Sequence, residues 1–136
     1  MSFPYATEWP QYFTASTGNW LPLLVTDKYK NIITDSLHFM VKHKRIELNA
    51  FVVMDNHIHI IWQPLPGHSL SSIQLSFMKF TAQQIKFALD PALLQQAKVN
   101  KTDREYQIWK RKPLSVELSS EKSIPAKIGI HSLQSR

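Results

Sequence analysis

Two histidines, His57 and His59, lie one residue apart in the stretch "DNHIHIIW". Alternate side chains of a β-strand point to the same face, so a strand here would place both imidazoles together, with Cα atoms roughly 7 Å apart. Two neutral imidazoles can chelate a divalent cation if a third ligand comes from elsewhere. Ile58 and Ile60 would point into the core, with Met54 as a further core candidate. The alternative is a hydrogen-bonded or solvent-facing pair without a chemical role.

The elements that would position this pair are indicated by apolar spacing and by turn residues. The stretches "QYFTAST", "ELNAFVVM" and "HIHIIWQP" read as strands, and Asp55-Asn56 joins the last two as a β-hairpin. A first helix is predicted from about Asp27 to His43, with Thr26 or Asp27 as its N-cap. A second helix, capped by Ser69 or Ser71, runs to about Leu89, and Asp90-Pro91 opens a short further turn.

This order of elements predicts one α+β domain over residues 1–136, with an antiparallel sheet, helices packed on one face and a pattern close to the split βαβ motif. On the second helix, Ile73, Phe77, Phe80 and Ile85 are expected to face the core.

The sequence has no cysteine, which excludes disulfides and thiolate metal sites and fits a cytoplasmic location. No secretion signal is expected, because the N-terminus has no basic segment followed by an apolar one. No membrane span is expected either, because no apolar run approaches about 18 residues.

The formal net charge is +6, with an isoelectric point near 9.7, which favours a polyanionic partner such as nucleic acid. The residues predicted to face DNA fall in two groups, a stripe on the second helix and a basic aromatic segment after it: Lys79, Gln83 and Lys86, then Trp109, Lys110, Arg111 and Lys112. Trp109 and Tyr106 could stack on unpaired bases, or they could be ordinary packing residues.

The string "LNAFVVMDNHIHIIWQP" resembles the signature of the HUH single-strand tyrosine transposases, particularly the REP-associated branch. That signature is a hydrophobic strand followed by Met-Pro-Asn-His, a hydrophobic residue and His; here Asp55 replaces the usual proline. "YFTAST", "SFMKFTAQQIK" and "YQIWKRKPLSVEL" extend the resemblance over about residues 10–120. It implies a ferredoxin-like fold, usually dimeric, and a divalent cation, Mg²⁺ or Mn²⁺, on His57 and His59. It also implies a tyrosine that attacks single-stranded DNA with hairpin ends and forms a 5′-phosphotyrosine.

The nucleophile that the resemblance implies is missing. The four tyrosines are Tyr5, Tyr12, Tyr29 and Tyr106, whereas the family places its tyrosine in a helix near the C-terminus, within a segment like Lys-Leu-Asp-Tyr-Ile-His-x-Asn-Pro-Val. In the family that tyrosine attacks, and the asparagine four residues later resembles a third metal ligand. This sequence ends "EKSIPAKIGIHSLQSR", where Pro125 and Gly129 disfavour a helix.

A frameshift near Ser123 would explain this tail. Lys127 to Arg136 can be encoded AAA ATT GGA ATA CAT TCA CTA CAA TCC CGT. Read one base later, the same bases give Lys-Leu-Glu-Tyr-Ile-His-Tyr-Asn-Pro and the start of a valine codon, which is the missing motif. The codons were chosen within the degeneracy of the code, so the source gene decides the hypothesis. We therefore interpret residues 123–136 as an aberrant tail.

Three functions remain open from the sequence. The first is a DNA transposition enzyme, active or, as the missing tyrosine favours, inactive, with Tyr106 as a weak substitute nucleophile. The second is a non-catalytic module that binds single-stranded nucleic acid through the same basic surface. The third is a metal-dependent hydrolase that uses water at His57 and His59, with Asp55 as its general base.

Overall fold

The computed structural model of the chain describes residues 5–99 and 106–119. The predicted aberrant tail, residues 123–136, lies outside the described residues. The elements in chain order are β1 (Gln11–Ser16), α1 (Asp27–Lys42), β2 (Ile46–Val53), β3 (His57–Pro64), α2 (Leu70–Ala88), α3 (Pro91–Gln96) and β4 (Leu114–Glu117). A short turn, Gly18–Trp20, follows β1 after Thr17, and its backbone is not helical at Asn19.

The four strands form one antiparallel sheet in the order β2-β3-β1-β4. The predicted hairpin between β2 and β3 is confirmed, and the sheet order is that of a ferredoxin-like fold. In the central pair, Ser16 lies opposite His57 and Thr14 lies opposite His59. The end of β1 and the start of β3 therefore share one end of the sheet.

The capping residues act much as their types predict. Ser69 caps α2, where its hydroxyl accepts a hydrogen bond from the Ser72 backbone N–H. Asp90 caps α3 in the same way through the Leu93 N–H, and Thr26 occupies the N-cap of α1 without a side-chain hydrogen bond. Within the described part of the chain, no helix is long and apolar enough to cross a membrane.

The helices cover one face of the sheet and form the main core with it, as the sequence predicts. Ile58, Ile60 and Trp62 of β3 are fully buried in this core. The prediction for Met54 is wrong: the side chain is 45% exposed, because it follows the last residue of β2 and lies where the chain turns toward β3.

The prediction that Phe80 belongs to the core is also wrong, since Phe80 is 51% exposed. Helix α2 instead buries residues at four-residue spacing: Ile73, Phe77, Thr81 and Ile85. Thr81 takes the place expected for Phe80 because its hydroxyl is satisfied inside the core. It donates to the Phe77 carbonyl at 2.7 Å and accepts from the Trp109 indole N–H at 3.0 Å.

This buried hydrogen bond gives a stability prediction. Thr81→Val keeps the side-chain volume but leaves the Trp109 N–H without its acceptor, so we expect a loss of about 1–3 kcal/mol in the free energy of unfolding. Urea denaturation followed by fluorescence would measure it. Gln83→Ala, on an exposed position of the same helix, should change stability by less than about 0.5 kcal/mol. If Thr81→Val were as stable as the unchanged protein, the hydrogen bond between Trp109 and Thr81 would not stabilise the fold.

The opposite face of the sheet has a small apolar cluster of its own, which the sequence analysis missed. It contains Tyr12, Ala50, Ile61 and Leu118, with Val116 packed against it. Tyr12 is 3% exposed and lies opposite Ile61 in the register. The cluster borders the histidine pair, because His59 and Ile61 are alternate residues of β3.

Candidate functional site

His57 and His59 lie at the start of β3, on the sheet face that the helices leave uncovered. Their neighbours Ile58 and Ile60 are fully buried on the helix side, and this fixes the direction of both imidazoles. The two ring centroids are 4.9 Å apart, with the ring planes nearly perpendicular. Both side chains are partly exposed. The structure thus brings the predicted pair together at a solvent-accessible place.

The imidazole of His57 is held by the residue before it. His57 Nδ1 lies 2.9 Å from Asn56 Oδ1, and the Asn56 amide nitrogen donates to the Trp20 carbonyl at 3.3 Å. With the amide oriented this way, its oxygen can only accept, so His57 Nδ1 carries the hydrogen of this bond. In the neutral ring, His57 Nε2 then has a lone pair available to a ligand.

The imidazole of His59 is held across the sheet by strand β1. Its Nδ1 lies 2.8 Å from the Tyr12 hydroxyl and 3.0 Å from the Thr14 hydroxyl. The Tyr12 ring also stacks on the imidazole, with centroids 5.8 Å apart. Burial, and then the nearby charge of His57, lower the pKa of His59 below its usual value. The lowered pKa favours the neutral form of the ring at neutral pH, which is the form that binds metals.

Both histidines therefore use Nδ1 for support within the protein. Among residues 5–99 and 106–119, neither Nε2 atom has a hydrogen-bond partner. This is the usual state of metal-binding histidines, whose second ring nitrogen donates to a fixed acceptor. The donor set fits a divalent cation held by two imidazoles, with the other positions left to water or substrate. In the described part of the chain no third histidine or carboxylate joins the pair as a metal cluster.

The support of His57 by Asn56 can be tested through metal affinity. Asn56→Ala removes the acceptor at Nδ1, so we expect roughly 10–100-fold weaker Mn²⁺ binding. Asn56→Asp keeps an acceptor oxygen and should restore most of the affinity. Isothermal titration with Mn²⁺ would measure both, with Asn31→Ala as the control at an exposed position of α1. Unchanged affinity in Asn56→Ala would contradict the assigned role of Asn56.

The basic segment Lys110–Lys112 lies beside the histidine face. The Lys110 N–H donates to the Ser16 carbonyl at 2.7 Å, and Ser16 pairs with His57 across the sheet. All three cationic side chains are exposed. Together with Thr14 and Ser16 they line a depression of about 150 Å³. Because paired residues of neighbouring strands share a face, this depression adjoins the two imidazoles.

The predicted stripe lies on α2, which packs on the other face of the sheet from the histidines. Lys79, Gln83 and Lys86 are exposed, and the Lys86 ammonium lies 5.6 Å from the centre of the Tyr106 ring. Lys79 lines a groove of about 730 Å³ between α2 and the segment from Tyr106 to Pro113, together with Lys110 and Arg111. The groove thus brings one cation of the stripe near two cations of the segment.

Trp109 is a packing residue. This is the second of the two roles, base stacking or packing, that the sequence left open for it. It is 7% exposed, and its indole N–H is bound to Thr81, so it does not present a ring face to a base. A different tryptophan, Trp20, is 55% exposed near the histidines. No spacing signal pointed to Trp20, because its position depends on the turn after β1 and on contacts far along the chain.

The carboxylate required for the hydrolase hypothesis is directed elsewhere. Asp55 forms an ion pair with Lys30 of α1, with Nζ and Oδ1 3.6 Å apart. Because α1 packs on the covered face of the sheet, this pair draws the carboxylate away from the imidazoles. The geometry therefore does not favour Asp55 as a general base at His57 and His59.

Two solved structures share the fold of this chain. The first is a REP-associated tyrosine transposase bound to a REP hairpin, with a TM-score of 0.58 and 18% identity; the match covers 93% of this chain and 66% of that one. The second is a protein of Deinococcus radiodurans R1 described as a candidate transposase, with a TM-score of 0.60 and 14% identity; the match covers 93% and 92%. No family model matches the sequence, and no curated protein matches it.

The chain spans 66% of the length of the REP-associated transposase. At these identities the comparisons concern the arrangement of strands and helices. The resemblance to the HUH transposases stated from the histidine motif is thereby confirmed at the level of the fold: this chain has the ferredoxin-like α+β fold of a REP-associated tyrosine transposase.

Proposed function

We propose that this protein is an HUH-type transposase relative that binds single-stranded DNA with hairpin ends. The observation that carries the proposal is the meeting of two features at one end of the sheet. The imidazoles of His57 and His59 present their Nε2 atoms there, and the cations of Lys110–Lys112 lie beside them. Phosphate contacts by such cations supply most of the affinity of sequence-independent DNA binding.

The metal in this proposal is a divalent cation, Mn²⁺ or Mg²⁺, with His57 and His59 as its protein ligands. Such an ion would polarise a bound phosphate and offset the charge that develops on its oxygens. This chain's own residues orient the site: Asn56 fixes His57, while Tyr12 and Thr14 fix His59. Imidazole ligands favour Mn²⁺ over the harder Mg²⁺, which prefers oxygen donors.

We further propose that the chain does not cleave DNA, because no tyrosine is placed to attack. The hydroxyl of Tyr12 bonds the Nδ1 side of His59, away from the ligand nitrogen, and its side chain is almost fully buried. Tyr29 is buried in the core and its hydroxyl points to the Ala88 carbonyl. Tyr5 donates to Glu47, and Tyr106 borders Lys86.

A strand-cleavage assay on single-stranded DNA with hairpin ends, run with Mn²⁺ or Mg²⁺, tests this proposal. A gel shift without a covalent adduct is expected, and it supports the non-catalytic binding module that the sequence left as the alternative reading. Nicking with a protein–DNA adduct would contradict inactivity. If the unchanged protein hydrolyses the DNA without forming an adduct, and His57→Ala loses that hydrolysis, the metal-dependent hydrolase is favoured instead. A homodimer and a cytoplasmic location remain predictions from the sequence.

A further inference from the structure

We infer that Trp20 is a stacking platform for an unpaired nucleobase beside the histidine site. The inference rests on the proposed function, since it names a base-binding position within the same DNA surface. It starts from the turn Gly18–Trp20, which only Thr17 separates from β1. The Trp20 indole is large and apolar, yet 55% of the residue is exposed. A ring exposed to this degree is accessible to a ligand.

The backbone holds this indole outward at an energetic cost. Asn19 has φ of 53° and Trp20 has φ of 56°, so two consecutive residues without glycine adopt the left-handed conformation. Asparagine tolerates this region, but it is unfavourable for a bulky residue such as tryptophan. Strain of this kind persists where surrounding contacts impose it, and it is concentrated at functional sites.

The contacts that impose this conformation connect the turn to both halves of the candidate site. The Trp20 carbonyl accepts from the amide of Asn56, the residue that supports His57. The Gly18 N–H donates to the Ile108 carbonyl at 2.8 Å. A Cβ at Gly18 would lie 3.0 Å from the Gln107 carbonyl oxygen, so a larger residue there would have to displace this backbone by a few tenths of an ångström. The turn is thus fixed against the histidine strand and the basic segment.

The charge around the indole matches a nucleotide. The Lys110 ammonium lies 4.8 Å from the centre of the Trp20 ring, and Arg111 and Lys112 follow it with exposed side chains. An aromatic face beside a row of cations is the usual composition of a single-strand binding surface: the ring stacks on a base and the cations contact its phosphates. Every base has such a face, so the platform selects unpaired bases and not a particular sequence.

The test compares Trp20→Ala, Trp20→Phe and Trp9→Ala by fluorescence anisotropy of a labelled single-stranded oligonucleotide at constant salt. Trp9 is the matched control, because it is 39% exposed and precedes β1, whereas Trp20 follows it. We expect about 10-fold weaker binding in Trp20→Ala, the effect of losing one stacked base. Trp20→Phe should recover most of the affinity, and Trp9→Ala should bind like the unchanged protein.

An abasic oligonucleotide of the same length separates stacking from phosphate contacts. There Trp20→Ala should bind as well as the unchanged protein, since no base is left to stack. Equal affinities on the intact oligonucleotide would overturn the inference, and so would an equal loss on the intact and abasic oligonucleotides. If the unchanged protein binds neither oligonucleotide, the proposed function itself fails, which is a different result from a variant that binds normally.

Discussion

Replacing Lys127 to Arg136 with the adjacent-frame sequence Lys-Leu-Glu-Tyr-Ile-His-Tyr-Asn-Pro-Val is expected to produce a covalent protein–DNA adduct on single-stranded DNA with hairpin ends. The replacement supplies a tyrosine nucleophile and, four residues later, an asparagine that could complete the metal coordination. One helical turn places the two on the same face. We expect adduct formation to rise by several orders of magnitude, since loss of its nucleophile costs subtilisin about 10⁶-fold in kcat.

The matched control for this experiment carries phenylalanine in place of the first of the two tyrosines in the replaced segment, the one four residues before the asparagine. It should bind DNA and metal but form no adduct, and denaturing gels of labelled oligonucleotide would compare the two. If the replaced protein binds DNA and still forms no adduct, the proposal that loss of this motif prevents cleavage is wrong. The bases of the source gene give an independent test, because the frameshift requires the motif in the adjacent frame.

The second large effect is expected on metal binding. His57→Ala or His59→Ala removes one of the two imidazole ligands, so Mn²⁺ affinity should fall by more than the roughly 10–100-fold expected for losing a supporting hydrogen bond. Isothermal titration would measure the loss. His38→Ala and His43→Ala are the controls, because both residues are exposed on or just after α1 and should leave the affinity unchanged. Equal losses in all four variants would contradict a site at the pair.

Much of this fold could be predicted because its signals are local. The apolar spacing of α1 and α2, the caps Ser69 and Asp90, and the alternation in β3 fix each element within a few residues. That both imidazoles lie on the same face of the sheet follows from strand alternation alone. The error at Phe80 arose because helical spacing allowed either Phe80 or Thr81 inward, and the choice depended on a hydrogen bond to Trp109.

The surroundings of the histidines could not be predicted, because they depend on register between distant strands. Tyr12 and Thr14 reach His59 only through the pairing of β1 with β3. Trp20 reaches Asn56 only because the turn after β1 is fixed by the segment around Ile108. The spacing of the motif therefore locates the two histidines but not the residues that orient them.

The central claim is that His57 and His59 hold one divalent cation through their Nε2 atoms. Anomalous diffraction from crystals of the protein grown with Mn²⁺ tests it most directly. We predict a single strong peak within about 2.5 Å of both Nε2 atoms, with Asn56 still accepting from His57 and the hydroxyls of Tyr12 and Thr14 still at His59 Nδ1. Manganese bound elsewhere, or its absence from the pair at saturating concentration, would contradict the account.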